Sequence, residues 1–202
     1  MSSRYQTVAA STRFEIEKVK ASRFLADALP LASEAELEAA LKRVRKEFHD
    51  ARHHCWAYRL GPGGTRFRSS DDGEPSGSAG KPILQQIEAR SLSDVLVVVT
   101  RWFGGTKLGV GGLVRAYGAA AAAVLDRAPR REVVRTQRIE VAFPYECTAV
   151  VQGLLAAAGI APTAARYDEQ AVLEVEVPLD ELASFEHELR ERSSNRARLR
   201  QL

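Results

Sequence analysis

Residues 69–117 read SSDDGEPSGSAGKPILQQIEARSLSDVLVVVTRWFGGTKLGVGGLVRAY, and the order of segments within them decides the fold. Twice a glycine-rich loop runs into a segment of helical character. Between the two lies an apolar run, residues 95–99, with no polar alternation, which predicts a strand covered on both faces. Residues 81–90 predict a short helix that tolerates Pro82 in its first turn. Residues 111–128 predict a longer one, alanine-rich over 119–123 and ending at Pro129. The loops also carry charge: Asp71, Asp72, Glu74 and Lys81 in the first, Arg101, Lys107 and Arg115 around the second. Glycines at this density let backbone amides approach an anion, and a helix N-terminus adds roughly half a positive charge.

Upstream, residues 13–30 predict two strands, the first alternating through Phe14 and Ile16. Ser33 and Glu36 predict a capping box opening a helix with apolar residues at 37, 41, 44 and 48. A strand over 55–60, a turn at 61–64 and a return over 65–68 predict a hairpin. Residues 70–80 are too polar and glycine-rich for regular structure. Downstream, the charged stretch 128–137, APRREVVRTQ, marks the expected boundary between domains 1–134 and 135–202. The second of these reads strand, helix, hairpin, helix, strand. That β-α-β-β-α-β order is ferredoxin-like.

With 45% hydrophobic and 27% charged residues in 202, the composition is that of an ordinary globular chain. The net charge of +3 conceals an asymmetry: 22 Lys and Arg face 15 Asp and Glu over residues 1–135, but 7 face 11 over 136–202. A basic first part favours an anionic partner such as RNA. Two isolated cysteines, Cys55 and Cys147, give no disulfide framework. There is no apolar leader and no run of the ~18–20 apolar residues that span a bilayer, so a cytoplasmic protein without a membrane partner is expected.

The glycine loops fail the enzyme fingerprints. Lys107 follows Thr106 and precedes Leu108, not the G-K-S/T of a nucleotide-binding loop, and Gly109 and Gly111 lead to Val114 where a dinucleotide fingerprint needs glycine. Ser78-Ala79-Gly80-Lys81 fits S-x-x-K without its companion motifs. Asp71, Asp72 and Glu74 lack the alternate spacing of a calcium loop. They read first as turn and cap carboxylates that hold the loop and orient the cations, and second as ligand contacts, together with His53, Ser76 and Lys81. His53 and Cys55 share one strand face and His54 and Trp56 the other, too few ligands per face for zinc. Arg101, Lys107 and Arg115, with the amides of Gly104, Gly105, Gly109, Gly111 and Gly112, are the expected contacts to phosphate. Trp102 and Phe103, beside a buried strand, read as core rather than as base-stacking rings. The five arginines of residues 190–200 read equally as an RNA fringe or as solvated edge charge.

The segments HHCWAYRLG, SDDGEPSGSAGKPIL and TRWFGGTKLGVGGLVRAYG closely resemble the IMPACT family, specifically its bacterial YigZ-type members, over residues 49–118. The resemblance implies an α/β (α+β) protein. Its N-terminal domain would be similar to domain 2 of ribosomal protein S5 and to domain IV of elongation factor G, its C-terminal domain ferredoxin-like, similar to domain V of that factor. It carries over His53, Cys55, residues 70–80, Arg101, Phe103, the five loop glycines, Lys107, Arg115 and Tyr117, with Trp102 where many members have tyrosine. Eukaryotic members regulate translation largely through an additional domain, so that mechanism is not carried over. The combined expectation is a non-catalytic protein that binds RNA or the ribosome and modulates translation, without metal or cofactor. A protein partner for the C-terminal domain is a further expectation. The alternative is an enzyme acting on a small phosphorylated or nucleotide substrate between the two loops.

Overall fold

The computed structural model describes residues 3–202, which divide into two units: Tyr5–Val133, and Val134–Leu202 joined by Ser3 and Arg4. Along the first run β1 (Arg4–Val8), β2 (Thr12–Glu15), β3 (Arg23–Pro30), α1 (Leu37–Glu47), β4 (His53–Leu60), β5 (Arg66–Ser70), α2 (Gly80–Ala89), β6 (Val95–Trp102), α3 (Val110–Arg127) and β7 (Arg130–Val134). The long apolar run became β6, the middle strand of an antiparallel sheet ordered β2-β3-β6-β4-β5.

Both faces of that sheet are covered. Val95, Val97 and Val99 pack with Cys55 and Phe24 under α2 and α3, where Ile83, Ile87, Tyr117 and Val124 are fully buried. Leu96 and Val98 point the other way, with Trp56 and Tyr58, onto Leu37, Leu41 and Val44 of α1. Period-2 strands meeting helices on each side leave no polar row, which explains the missing alternation. Ala120 and Ala121 of the alanine run are buried in the same cluster as Ile83 and Ile87 of α2.

Two local details differ from the sequence reading. Ser33 makes no capping hydrogen bond, because the helix opens through a 3-10 turn at Glu34–Glu36 that shifts Glu36 to the cap position. Only the reciprocal half of the capping box forms, one residue early, with Glu36 Oε2 accepting the Ala32 N–H at 3.1 Å. Residues 4–8, for which the sequence offered no element, form β1, which pairs with β7.

The second unit contains β8 (Thr136–Phe143), α4 (Thr148–Ala157), β9 (Pro162–Tyr167), β10 (Ala171–Pro178), α5 (Leu182–Arg192) and β11 (Arg198–Gln201). The sheet order β11-β8-β10-β9 is the split β-α-β-β-α-β arrangement. Ile139, Val141, Phe143, Val175 and Val177 pack with Leu155 and Phe185 of the helices. The opposite sheet face carries a charge ladder without an aromatic ring: Glu140 holds Arg166 at 2.7 Å and Arg200 at 3.1 Å, and Arg138 reaches Glu174 at 2.5 Å. Ser3 joins this unit through a hydroxyl bond to Asp180 and through its carbonyl, which accepts the Arg135 N–H at 2.8 Å. Among the described residues no helix is long and apolar enough to cross a membrane.

Candidate functional site

Phe24 on β3, Arg101 on β6 and His53 on β4 are register partners, so they form one row across the sheet on the side facing α2 and α3. The Arg101 residue is only 4% exposed. A guanidinium there needs a counter-charge, since an unpaired buried charge costs several kcal/mol. Glu74 supplies it. Its Oε1 accepts from Arg101 Nη1 at 2.6 Å and from the Tyr117 hydroxyl at 2.8 Å, with His53 Nε2 at 3.9 Å. Arg101 Nη2 donates to Ser22 Oγ at 3.2 Å, and the guanidinium lies 5.5 Å from the Phe24 ring centroid and 5.6 Å from that of Phe103. Two atoms stay unpartnered: Arg101 Nε is buried without an acceptor, and no hydrogen bond reaches Glu74 Oε2.

The other acids of the loop are engaged as well. Asp71 accepts the N–H groups of Gly77, Ala79 and Gly80 at 2.8–2.9 Å, capping the start of α2 from eight or nine residues upstream. Asp72 accepts the His54 N–H at 2.6 Å and pairs with Arg45 at 3.0 Å, while its carbonyl takes His53 Nδ1 at 2.8 Å. The Cys55 thiol points at the Asp71 carbonyl, 3.0 Å away. Burial pushes both this thiol and the Tyr117 phenol far above their usual ranges. Burial likewise holds the His54 imidazole below its ordinary value.

Lys107 and Arg115 are exposed and, among the described residues, have no acidic partner. They flank the start of α3, where Gly109 sits at φ 71° as the N-cap and offers no side chain. The first helical amide with a helical acceptor is that of Leu113, onto the Gly109 carbonyl, so the Val110, Gly111 and Gly112 amides have none within the helix. Beside them opens a cleft of about 340 Å³ whose lining includes Glu74, Arg101, Phe103, Lys107, Leu108 and Leu113.

This geometry corrects several expectations. Arg101 does not reach outward to phosphate, because its guanidinium is locked beneath the loop by Glu74. Gly104 does not offer a free amide: its N–H donates to Ser22 Oγ at 3.2 Å, and a Cβ would stand 2.1 Å from the Ala21 carbonyl carbon, so glycine is there for close backbone packing. Ser76 and Lys81 are exposed and bond to no other described side chain, so they do not organise the loop. Phe103 is 44% exposed rather than core, since β6 ends one residue before it. Among the described residues no group of three His, Cys, Asp or Glu side chains is placed to hold a metal. Ser22 and Phe24 were not legible as site residues; only the strand register brings them to Arg101. The arginines of the C-terminal end are largely paired, Arg190 with Glu186, Arg192 with Glu188 and Arg200 with Glu140.

Fold and site together define a two-part α+β protein whose glycine-rich signature loops surround a buried Glu–Arg pair. Residues 20–125 match the Impact N-terminal domain, and residues 141–196 match a domain of unknown function designated DUF1949. The chain belongs to the IMPACT family. It is 50% identical over 141 residues to the IMPACT family member in the pol 5′ region of Thermus thermophilus, covering 69% of this chain and 74% of that one. It is 31% identical over 176 residues to the IMPACT family member YigZ of Escherichia coli, 86% of each. A crystal structure of a hypothetical protein superposes with a TM-score of 0.68 at 29% identity, over 98% of this chain and 97% of that one.

Proposed function

We propose that this protein binds RNA, free or on the ribosome, through the exposed segment from Gly105 to Arg115, which is the glycine loop and the first turns of α3, and that it modulates translation by doing so. One observation carries the reading. Each carboxylate of the acidic loop is engaged internally, by amides, by Arg45 or by Arg101, so none neutralises Lys107 or Arg115. Two free cations beside three free helix-start amides make a phosphate-binding edge. The surplus of basic residues over 1–135 supplies the longer-range attraction, whereas the acidic second part and its self-paired sheet face do not.

The cleft favours a second reading, an enzyme acting on a small phosphorylated or nucleotide substrate. Against it, the Cys55 thiol and the Tyr117 hydroxyl bordering Glu74 are buried, and burial pushes both away from ionisation. The test is a salt titration of RNA binding by the wild type and by the Lys107→Ala, Arg115→Ala double variant. Losing two phosphate contacts to a single strand lowers the slope of log K against log salt by about 1.4. Both side chains are exposed, so folding is unaffected. An unchanged affinity and slope would remove the loop from the binding surface.

A further inference from the structure

The cleft beside α3 combines features that a phosphate edge alone does not require. Its floor is polar: the Glu74 side chain is 5% exposed, and among the described residues no donor reaches its Oε2. Arg101, on the same floor, has an Nε with no acceptor. A charged acceptor left open in such a place favours a ligand bearing N–H donors. One wall is the half-exposed ring of Phe103, backed by the Arg101 guanidinium at 5.6 Å, and apolar surface comes from Leu108 and Leu113. At the rim stand Lys107 and the free amides that open α3. A volume of about 340 Å³ lies at the small end of ligand-sized clefts, which begin near 300 Å³. It suits one flat heterocycle with its sugar and excludes a base pair.

We infer that this cleft receives a single unstacked base of a single-stranded RNA, stacked on Phe103 with its N–H edge toward Glu74, while the adjoining phosphate rests on Lys107 and the amides of α3. The inference rests on the RNA reading above and narrows it: the protein selects single strands over duplex, and bases over bare backbone.

The experiment compares three probes on the full chain by fluorescence anisotropy at one salt concentration: a short single-stranded RNA, the same sequence as a duplex, and an abasic strand of equal length. The single strand is expected to bind at least about 10-fold tighter than the other two. Phe103→Ala is expected to weaken it by between about 5- and 150-fold, the range of one lost base–aromatic stack, and to leave abasic binding unchanged. Val110→Trp, at an exposed position of the cleft lining, obstructs the mouth without touching the core and is expected to act in the same direction, which covers the case of a misfolded Phe103 variant. Equal binding of all three probes, or no effect of either variant, overturns the cleft assignment and leaves the RNA reading standing. No binding of any probe overturns both.

Discussion

Glu74→Gln is the substitution that tests the site's architecture most directly. The change keeps the shape and an oxygen for the Tyr117 hydroxyl, but it removes the only carboxylate within ion-pairing distance of Arg101 among the described residues. The pair is 5% exposed on each side, so water from the cleft replaces only part of what Glu74 provides. Breaking a buried pair from one side costs about 3–5 kcal/mol, a large part of the 5–15 kcal/mol that a domain typically holds. With a urea dependence of about 2 kcal/mol per molar, the midpoint should fall by roughly 2 M. Intrinsic fluorescence is the assay of choice, because both tryptophans, Trp56 and Trp102, lie in the Tyr5–Val133 unit and report it alone. Adding Arg101→Met removes the stranded charge, and the double variant should recover much of the loss. A Glu74→Gln midpoint within about 0.5 M of wild type, or a double variant no more stable than the single, would refute the claim that the buried pair anchors the loop.

Gly104→Ala places a methyl 2.1 Å from the Ala21 carbonyl carbon, backbone against backbone, and should destabilise the first unit by several kcal/mol in the same assay; a near-neutral result would mean the strand-end packing is loose. Cys55 and Cys147 are both buried, and the Cys55 thiol is held protonated, so a thiol reagent at pH 8 should find no reactive group in the native chain and two in denaturant. Burial depresses the His54 imidazole, so the unfolded chain takes up this proton first. Its contribution to stability is complete above about pH 6.5 and is lost as pH falls from there through the lower folded value. Unfolding midpoints measured from pH 7.5 down to pH 5 should drop, and His54→Gln should flatten the drop.

The fold was legible wherever the signal is local. The uninterrupted run at β6, the hairpin around residues 61–64 and the helix over α3 follow from periodicity and turn residues within a few positions. β1 was not legible, because its five residues RYQTV have little to mark them except pairing with β7, far along the chain. The site was legible in membership but not in role. Glu74 and Arg101 were both singled out, yet which acid of the loop meets which cation is settled only by the depth of the strand end beneath the loop. That depth turned Arg101 from a ligand contact into an anchor, and by occupying Glu74 it left Lys107 and Arg115 free.

The attachment of Ser3 to Asp180 joins residues 177 positions apart, and it carries a consequence for how the chain is made. Translation delivers Ser3 177 positions before Asp180, so a segment made ahead of the Tyr5–Val133 unit completes a unit that can close only after it. The intervening Tyr5–Val133 unit holds its own cores and can close while synthesis continues. Ser3 and Arg4 must therefore stay unclaimed while the intervening unit is made. Anything that captures Ser3 early delays closure of the second unit.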